Sequence, residues 1–278
     1  MKKTSLLFSF FFTITLSATS ISELSDYPQI CKAAAEDNVI FQNFKRHPFY
    51  QPILEHLSFD QGKDYLSIIE TKYPFSSNEI KKCKENDSLG NPFTYFYNEK
   101  YDFSSPGTLR YMKVAGELLY LFGDLSNKKI AEIGIGYGGQ CKILSVLTQF
   151  DSYTLIDLPE VCLLAKKYLK ALEVKNIHFI PSTQLFQEEN YDLVISNYAF
   201  SEISQDEQIS YINKIINKSK NGYMICNFIS ELFNLKSLSL QEILSLINIP
   251  NRTIFLLEED PLTHPQNIVI IWKESSVI

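Results

Sequence analysis

The 278 residues of this chain include only 4 histidines and 5 cysteines, with no CxxC pair and no Cys/His cluster. A structural zinc site is therefore not expected. Positive charge is also scarce, since 26 Lys+Arg stand against 32 Asp+Glu for a net charge of -6. Nucleic-acid phosphates need concentrated positive charge, so a small molecule or a glycan is the better first guess for a partner than a nucleic acid. With 10 glycines and 11 prolines, no internal repeat and no low-complexity tract, collagen-like and disordered chains are excluded. Long apolar runs are missing as well: Leu6 to Leu16 falls short of the roughly 20 residues of a membrane span. What remains is an ordinary globular composition, 45% hydrophobic and 21% charged. The length suits a catalytic domain of roughly 150 to 180 residues plus a smaller appendage.

The N-terminus reads as an address. Lys2 and Lys3 precede the Leu6–Leu16 run, and Ala18-Thr19-Ser20 follows it. Charged region, apolar region and small-residue cleavage site are the parts of a secretory signal. Cleavage would start the mature chain near Ile21, leave no stable membrane span, and point to a periplasmic or secreted protein. Cys31 and Cys83 could then pair, whereas Cys141, Cys162 and Cys226 fall inside expected helix, helix and strand as small hydrophobes. An odd total leaves at least one thiol over.

Residues 21–107 read as a helical and aromatic extension, a substrate cap. Helix-spaced apolar positions run from Ser25 to about Ser88: Ile30, Ala33 and Ala34, then Ile53, Leu54 and Leu57, then Tyr65, Ile68 and Ile69. Turn residues then bracket an aromatic segment holding Tyr95, Tyr97 and Tyr101, which suggests a hairpin or lid. From Thr108 to the end, a helix (108–122) opens an alternation of strands (129–133, 153–156, 177–180, 193–196, 223–228) and helices (139–150, 159–172, 207–216). Such alternation builds an α/β Rossmann-like, mostly parallel sheet. Two closing strands, 253–257 and 268–272, are joined by about ten residues, which fits an antiparallel final strand.

The main chemical signal lies between the first of these strands and its helix. Gly134, Gly136 and Gly138, with Tyr137 among them, spell GxGxG, as in methyltransferases that use S-adenosylmethionine; Gly134, Gly136 and Gly139 also satisfy the dinucleotide pattern GxGxxG. Glu132 breaks the tie. A carboxylate pointing into the cofactor crevice suits a cationic amino-acid end and repels a pyrophosphate. The antiparallel closing strand argues the same way. Asp157, at the end of the second strand, is placed to accept both ribose hydroxyls of either cofactor.

An acceptor would be held by loops at the C-terminal ends of the strands. After the fourth strand, Asn197 can bind the cofactor's amino group or the acceptor, and Glu202 can serve as general base. His264, in the loop between the last two strands, is the other candidate base, with a side chain suited to proton transfer near neutrality. His47 and His56 belong to the helical extension and read as structural. Glu258 to Asp260 could hold Mg2+, but an acidic loop is more often solvated, and no metal is expected. Arg110 and Tyr111, on the helix before the first strand, are candidates for gripping the cofactor carboxylate or an acidic sugar. Tyr97, with Tyr95 and Tyr101, could offer a platform to a sugar ring.

From about Cys31 onward the chain resembles the sugar O-methyltransferases, a branch of the class I methyltransferases found among polysaccharide-biosynthesis genes. The resemblance rests on Asn43-Phe44-Lys45-Arg46-His47-Pro48 with Ile53-Leu54-Glu55-His56, Gly90-Asn91-Pro92, Thr108-Leu109-Arg110-Tyr111, Glu132 to Lys142, Asp157 to Val161, and Ser196 to Glu202. It implies S-adenosyl-L-methionine as cofactor and a hydroxyl of a sugar or glycan precursor as acceptor. Phenolic O-methyltransferases share the Asp-Leu-Pro but place a histidine base where this chain has Ser201, and a serine cannot do that work. Two other readings stay open: a nicotinamide-dependent oxidoreductase, from the GxGxxG overlap, and a non-catalytic binding protein on a methyltransferase scaffold. The export-like leader motivates the second, because the cofactor is cytoplasmic.

Overall fold

The computed structural model describes residues 18–184 and 189–274. Residues 1–17 of the leader-like stretch thus lie outside the described residues. Short helices build the N-terminal region: α1 (Tyr27–Glu36), α2 (Asn38–Asn43), α3 (Gln51–Leu54), α4 (Phe59–Lys72) and α5 (Ser77–Cys83). Local chemistry sets their starts. Ser58 and Ser76 form capping boxes with Gln61 and Glu79, and the Asp37 carboxylate accepts from the backbone N–H of Val39 and Ile40. The aromatic segment forms a two-stranded hairpin, β1 (Tyr95–Phe96) with β2 (Phe103–Ser104), and the 17-residue helix α6 (Pro106–Phe122) follows.

The rest is a seven-stranded sheet with helices on both faces. In chain order it comprises β3 (Lys129–Ile133), α7 (Gly139–Leu147), β4 (Ser152–Asp157), α8 (Pro159–Ala171), β5 (Ile177–Pro181), β6 (Tyr191–Asn197), α9 (Gln205–Lys214), β7 (Ser219–Cys226), α10 (Leu240–Leu246), β8 (Arg252–Glu258) and β9 (Ile268–Glu274). Strand order is β5-β4-β3-β6-β7-β9-β8, and β9 runs antiparallel to both neighbours while β3 to β7 pair in parallel. The α/β architecture with an antiparallel last strand is the one expected from the sequence. Because β4 and β6 flank β3 on opposite sides, the chain reverses its winding there and opens a crevice above the strand ends. The helix α10 was not expected, and β7 starts four residues before the expected 223, at Ser219.

Side-chain alternation sorts the sheet into two cores. Ile130, Leu155, Leu193 and Ile195 face α6, α7 and α8, while Ala131, Ile133, Val194 and Met224 face α9 and α10. The first core continues into the N-terminal helices through Tyr27, Cys31, Phe44, Tyr50 and Tyr65, so cap and sheet share one interior. All five cysteines are free and buried, which corrects the expectation that Cys31 and Cys83 could pair.

At this junction lies a buried polar knot. Asn86, fully buried, donates from Nδ2 to the Thr108 hydroxyl (2.8 Å) and to the Tyr137 phenol (3.1 Å) and accepts from the Tyr168 phenol at Oδ1 (2.9 Å). Its carbonyl accepts from Lys45 Nζ (2.8 Å), which sits 4.1 Å from the Tyr137 ring centre. Replacing Asn86 by alanine removes three buried side-chain hydrogen bonds, to Thr108, Tyr137 and Tyr168, while Lys45 and Tyr168 keep the backbone carbonyl. Asn86→Ala is expected to lower unfolding free energy by about 2–4 kcal/mol, read as a shift of the urea midpoint.

Candidate functional site

A cavity of about 500 Å3 opens at the C-terminal ends of β3, β4 and β6, roofed by α3 and α4 of the cap. Its floor is the turn after β3. Gly134 and Gly136 both carry positive φ, at 76° and 53°, and neither has room for a side chain. A Cβ on Gly134 would lie 1.9 Å from Ala199 Cβ, and one on Gly136 would lie 2.7 Å from Leu54 of α3. Glycine here lets the loop after β6 and the cap close directly onto the backbone.

Asp157 ends β4 at the cavity wall. Its Oδ2 accepts the backbone N–H of Ile135 (2.7 Å) and Gly136 (3.2 Å), and its Oδ1 accepts that of Leu158 (2.7 Å). Burial pushes its carboxyl up to about 6 against the pull of these N–H groups. Across the floor, Asn197 at the end of β6 donates to Gln140 Oε1 (3.4 Å). Its Oδ1 is buried with no partner among the described residues.

Of the residues singled out from sequence, Gly134, Gly136, Asp157, Asn197, Glu202, His264 and Arg110 line this one cavity. Five others do not. Glu132 is 1% exposed and lies beneath α7, accepting from the Tyr153 phenol (2.7 Å) rather than pointing into the crevice. Strand parity explains the correction: Ile133, not Glu132, turns toward the cavity. Tyr137 is fully buried on the far side of the glycine loop, in the knot around Asn86. Gly138 backs onto Leu169 of α8, where a Cβ would meet the leucine side chain at 2.8 Å. Tyr111 packs under Gly139, and Tyr97 stacks on Phe59 (5.2 Å between ring centres) outside the cavity.

The two candidate bases differ in setting. Glu202 accepts a hydrogen bond from Asn227 Nδ2, and burial pushes its carboxyl above the usual range against the pull of Asn227 and the Arg110 charge. His264 is exposed at the rim, its Nδ1 accepting the backbone N–H of Gln266 (3.3 Å). The acidic loop is not simply solvated. Glu259 is 4% exposed and accepts from the Tyr198 phenol, from the Thr263 N–H (3.0 Å) and hydroxyl (2.6 Å), and from Asn267 Nδ2 (2.7 Å). Among the described residues no group of three His, Cys, Asp or Glu could hold a metal ion.

Sequence reasoning missed several wall residues. His56 stands at the cavity, pushed below the usual imidazole range by desolvation and then by the Arg110 charge. Tyr65 of α4, Tyr198, Asn227 and Asn267 line it too. Tyr198 holds φ at 72°, a left-handed conformation unusual for an aromatic residue, which turns its ring toward Arg110 (5.8 Å). Among the described residues, four cavity-lining polar atoms are buried without a protein partner: Arg110 Nε, Asn197 Oδ1, Asn267 Oδ1 and the Tyr65 phenol. Such atoms are costly to leave without a hydrogen bond, so the wall offers donors and acceptors to water or a polar ligand.

No protein-family model and no curated protein matches the chain. Among solved structures, it is similar to an rRNA methylase from Streptococcus thermophilus at 12% identity, covering 55% of this chain and 90% of that one, with a TM-score of 0.42. It is similar to the methyltransferase domain of bacterial CtHen1-C at 14% identity, covering 60% and 97%, with a TM-score of 0.45. The PH0226 protein of Pyrococcus horikoshii OT3 compares at 12% identity, covering 66% and 95%, with a TM-score of 0.47. With TM-scores below 0.5, these likenesses bear on neither activity nor the role of any residue.

The buried Glu132 gives a pH test. Burial raises its carboxyl from 4.5 to about 8, outweighing the Tyr153 hydrogen bond, so the folded chain holds a proton that the unfolded chain has released. Its contribution to stability therefore falls as pH rises from 4.5 to about 8 and then levels. Glu132→Gln should flatten that part of the stability profile, read by urea unfolding at stepped pH.

Proposed function

We propose that the chain is an S-adenosylmethionine-dependent O-methyltransferase acting on a hydroxyl of a sugar or glycan precursor. The observation that carries the cofactor is the Asp157 carboxylate seated on the N–H groups of Ile135 and Gly136. A dinucleotide would need those amides for its pyrophosphate, and a carboxylate in their place repels one. A sulfonium nucleoside carries no phosphate and is not penalised. The residues present fit it: Asp157 keeps lone pairs for the ribose hydroxyls, and the Asn197 Oδ1, without a partner among the described residues, suits an ammonium group.

When bound, S-adenosylmethionine supplies a methyl group on a sulfonium, which an acceptor oxygen takes by in-line displacement. The chain's part is to align that oxygen, exclude water and accept the hydroxyl proton. Glu202 is the base we assign. It lines the cavity, is held by Asn227, and its raised basicity makes it a better proton acceptor than an exposed carboxylate. The acceptor class rests on the sequence resemblance together with the cavity's neutral polar groups, Tyr65, Asn227 and Asn267, which are suited to hydroxyls.

Calorimetry with S-adenosylhomocysteine tests the cofactor. The wild-type chain should bind it and not NADH, and Asp157→Ala should weaken binding by about 10- to 100-fold. Binding of NADH alone would sink the reading. For the chemistry, Glu202→Gln should lower kcat by about 10²- to 10⁴-fold in methyl transfer to sugars from radiolabelled cofactor, with KM little changed. The wild-type rate should rise with pH through a point above 4.5, because burial holds the proton on Glu202 longer. A Glu202→Gln chain with unchanged kcat would transfer the role to His264 or His56.

A further inference from the structure

Arg110 lies in the second turn of α6 and is 7% exposed, yet among the described residues it forms no ion pair and its Nε has no partner. The nearby acids are engaged elsewhere. Glu259 is taken up by Tyr198, Thr263 and Asn267 and Glu202 is held by Asn227, while Glu55 lies among Lys45, Asp87 and Tyr137; Glu55 and Glu202 feel the Arg110 charge without forming an ion pair with it. The rings of Tyr111 and Tyr198 lie 5.4 Å and 5.8 Å from the guanidinium carbon, fixing its plane at the cavity wall. A guanidinium cannot shed its charge as a buried lysine can, so its desolvation must be offset by an anion.

We propose that Arg110, with the phenol of Tyr65, forms a carboxylate-binding subsite of this cavity. Arg110 is the only lysine or arginine lining it among the described residues, beside the carboxylates of Asp157, Glu202 and Glu207. A carboxylate brings one negative charge into this acidic surrounding where a phosphate would bring two, so the monoanion is the less repelled partner for the guanidinium. The planar fork of the guanidinium accepts a carboxylate through two parallel N–H donors, and the partnerless Tyr65 hydroxyl supplies a third. The carboxylate belongs either to the amino-acid end of the cofactor or to an acidic sugar acceptor. This assignment rests on the methyltransferase reading for its ligands but not for its geometry.

Titration of the full chain and of Arg110→Met and Arg110→Lys with four ligands tests it. S-adenosylhomocysteine is compared with 5′-methylthioadenosine, which lacks the carboxylate, and glucuronate with glucose. Removing a buried, unpaired charge in Arg110→Met should leave the fold intact, and its melting temperature checks this. The expected result is a loss of about 10- to 100-fold for one carboxylate ligand and none for its uncharged counterpart, with partial rescue by Arg110→Lys. A loss confined to S-adenosylhomocysteine assigns the subsite to the cofactor, and a loss confined to glucuronate assigns it to the acceptor. Equal affinities of wild type and Arg110→Met for all four ligands overturn the proposal. If the wild type binds neither nucleoside, the methyltransferase reading fails, and the subsite then stands or falls on glucuronate alone.

Discussion

The cavity owes its shape to a contact made behind it. Tyr137 turns away from the ligand side of the glycine loop and buries its phenol against Asn86, within a knot that also holds Lys45, Thr108 and Tyr168. These groups come from the cap, from α6, from the loop and from α8. Burial lowers the Lys45 ammonium below its ordinary range, against the opposing pull of Glu55 and Asp87. A buried network of this kind is stable only when complete, so it fixes the backbone on both sides. The N–H groups of Ile135 and Gly136 are thereby aimed at Asp157, and Leu54 is seated on Gly136.

From this follows the composite character of the site. The sheet supplies Asp157 and Asn197, the cap supplies His56 and Tyr65, α6 supplies Arg110, and the loop between the last two strands supplies Thr263, His264 and Asn267. The N-terminal segment closes one side: the Thr19 carbonyl accepts from the Ser204 N–H (2.7 Å), Ser20 bridges to Ile203, and both residues line the cavity. None of these elements could be removed without opening the wall. Under the proposed methyltransferase function, acceptor specificity would belong to the cap and the last loop, and the strand ends would hold the nucleoside.

The sheet was legible because β3, β4 and β6 are dense apolar runs between turn residues, and the glycine spacing marks the end of β3 whatever it binds. The seven-residue α10 was not, since so short an amphipathic stretch has no distinctive period. The opening of β7, Lys220-Asn221-Gly222, is too polar to read as strand. Asp157 and Asn197 could be placed in the site because strand ends locate them. Glu132 and Tyr137 were misplaced because spacing along the chain does not say which way a side chain turns. Tyr65, Tyr198 and Asn267 were invisible for a different reason. Their meeting depends on packing between segments far apart in sequence, although Ile53-Leu54-Glu55-His56 carried a hint that the cap contributes to the wall.

The central claim is that this cavity holds a sulfonium nucleoside through Asp157, Asn197 and the glycine loop. A crystal structure of the full chain with S-adenosylhomocysteine tests it most directly. The account predicts the ribose hydroxyls on Asp157, the amino group on Asn197 Oδ1, and the sulfur facing the space between Glu202 and Tyr198. A nucleoside bound elsewhere, or with its ribose away from Asp157, would contradict it.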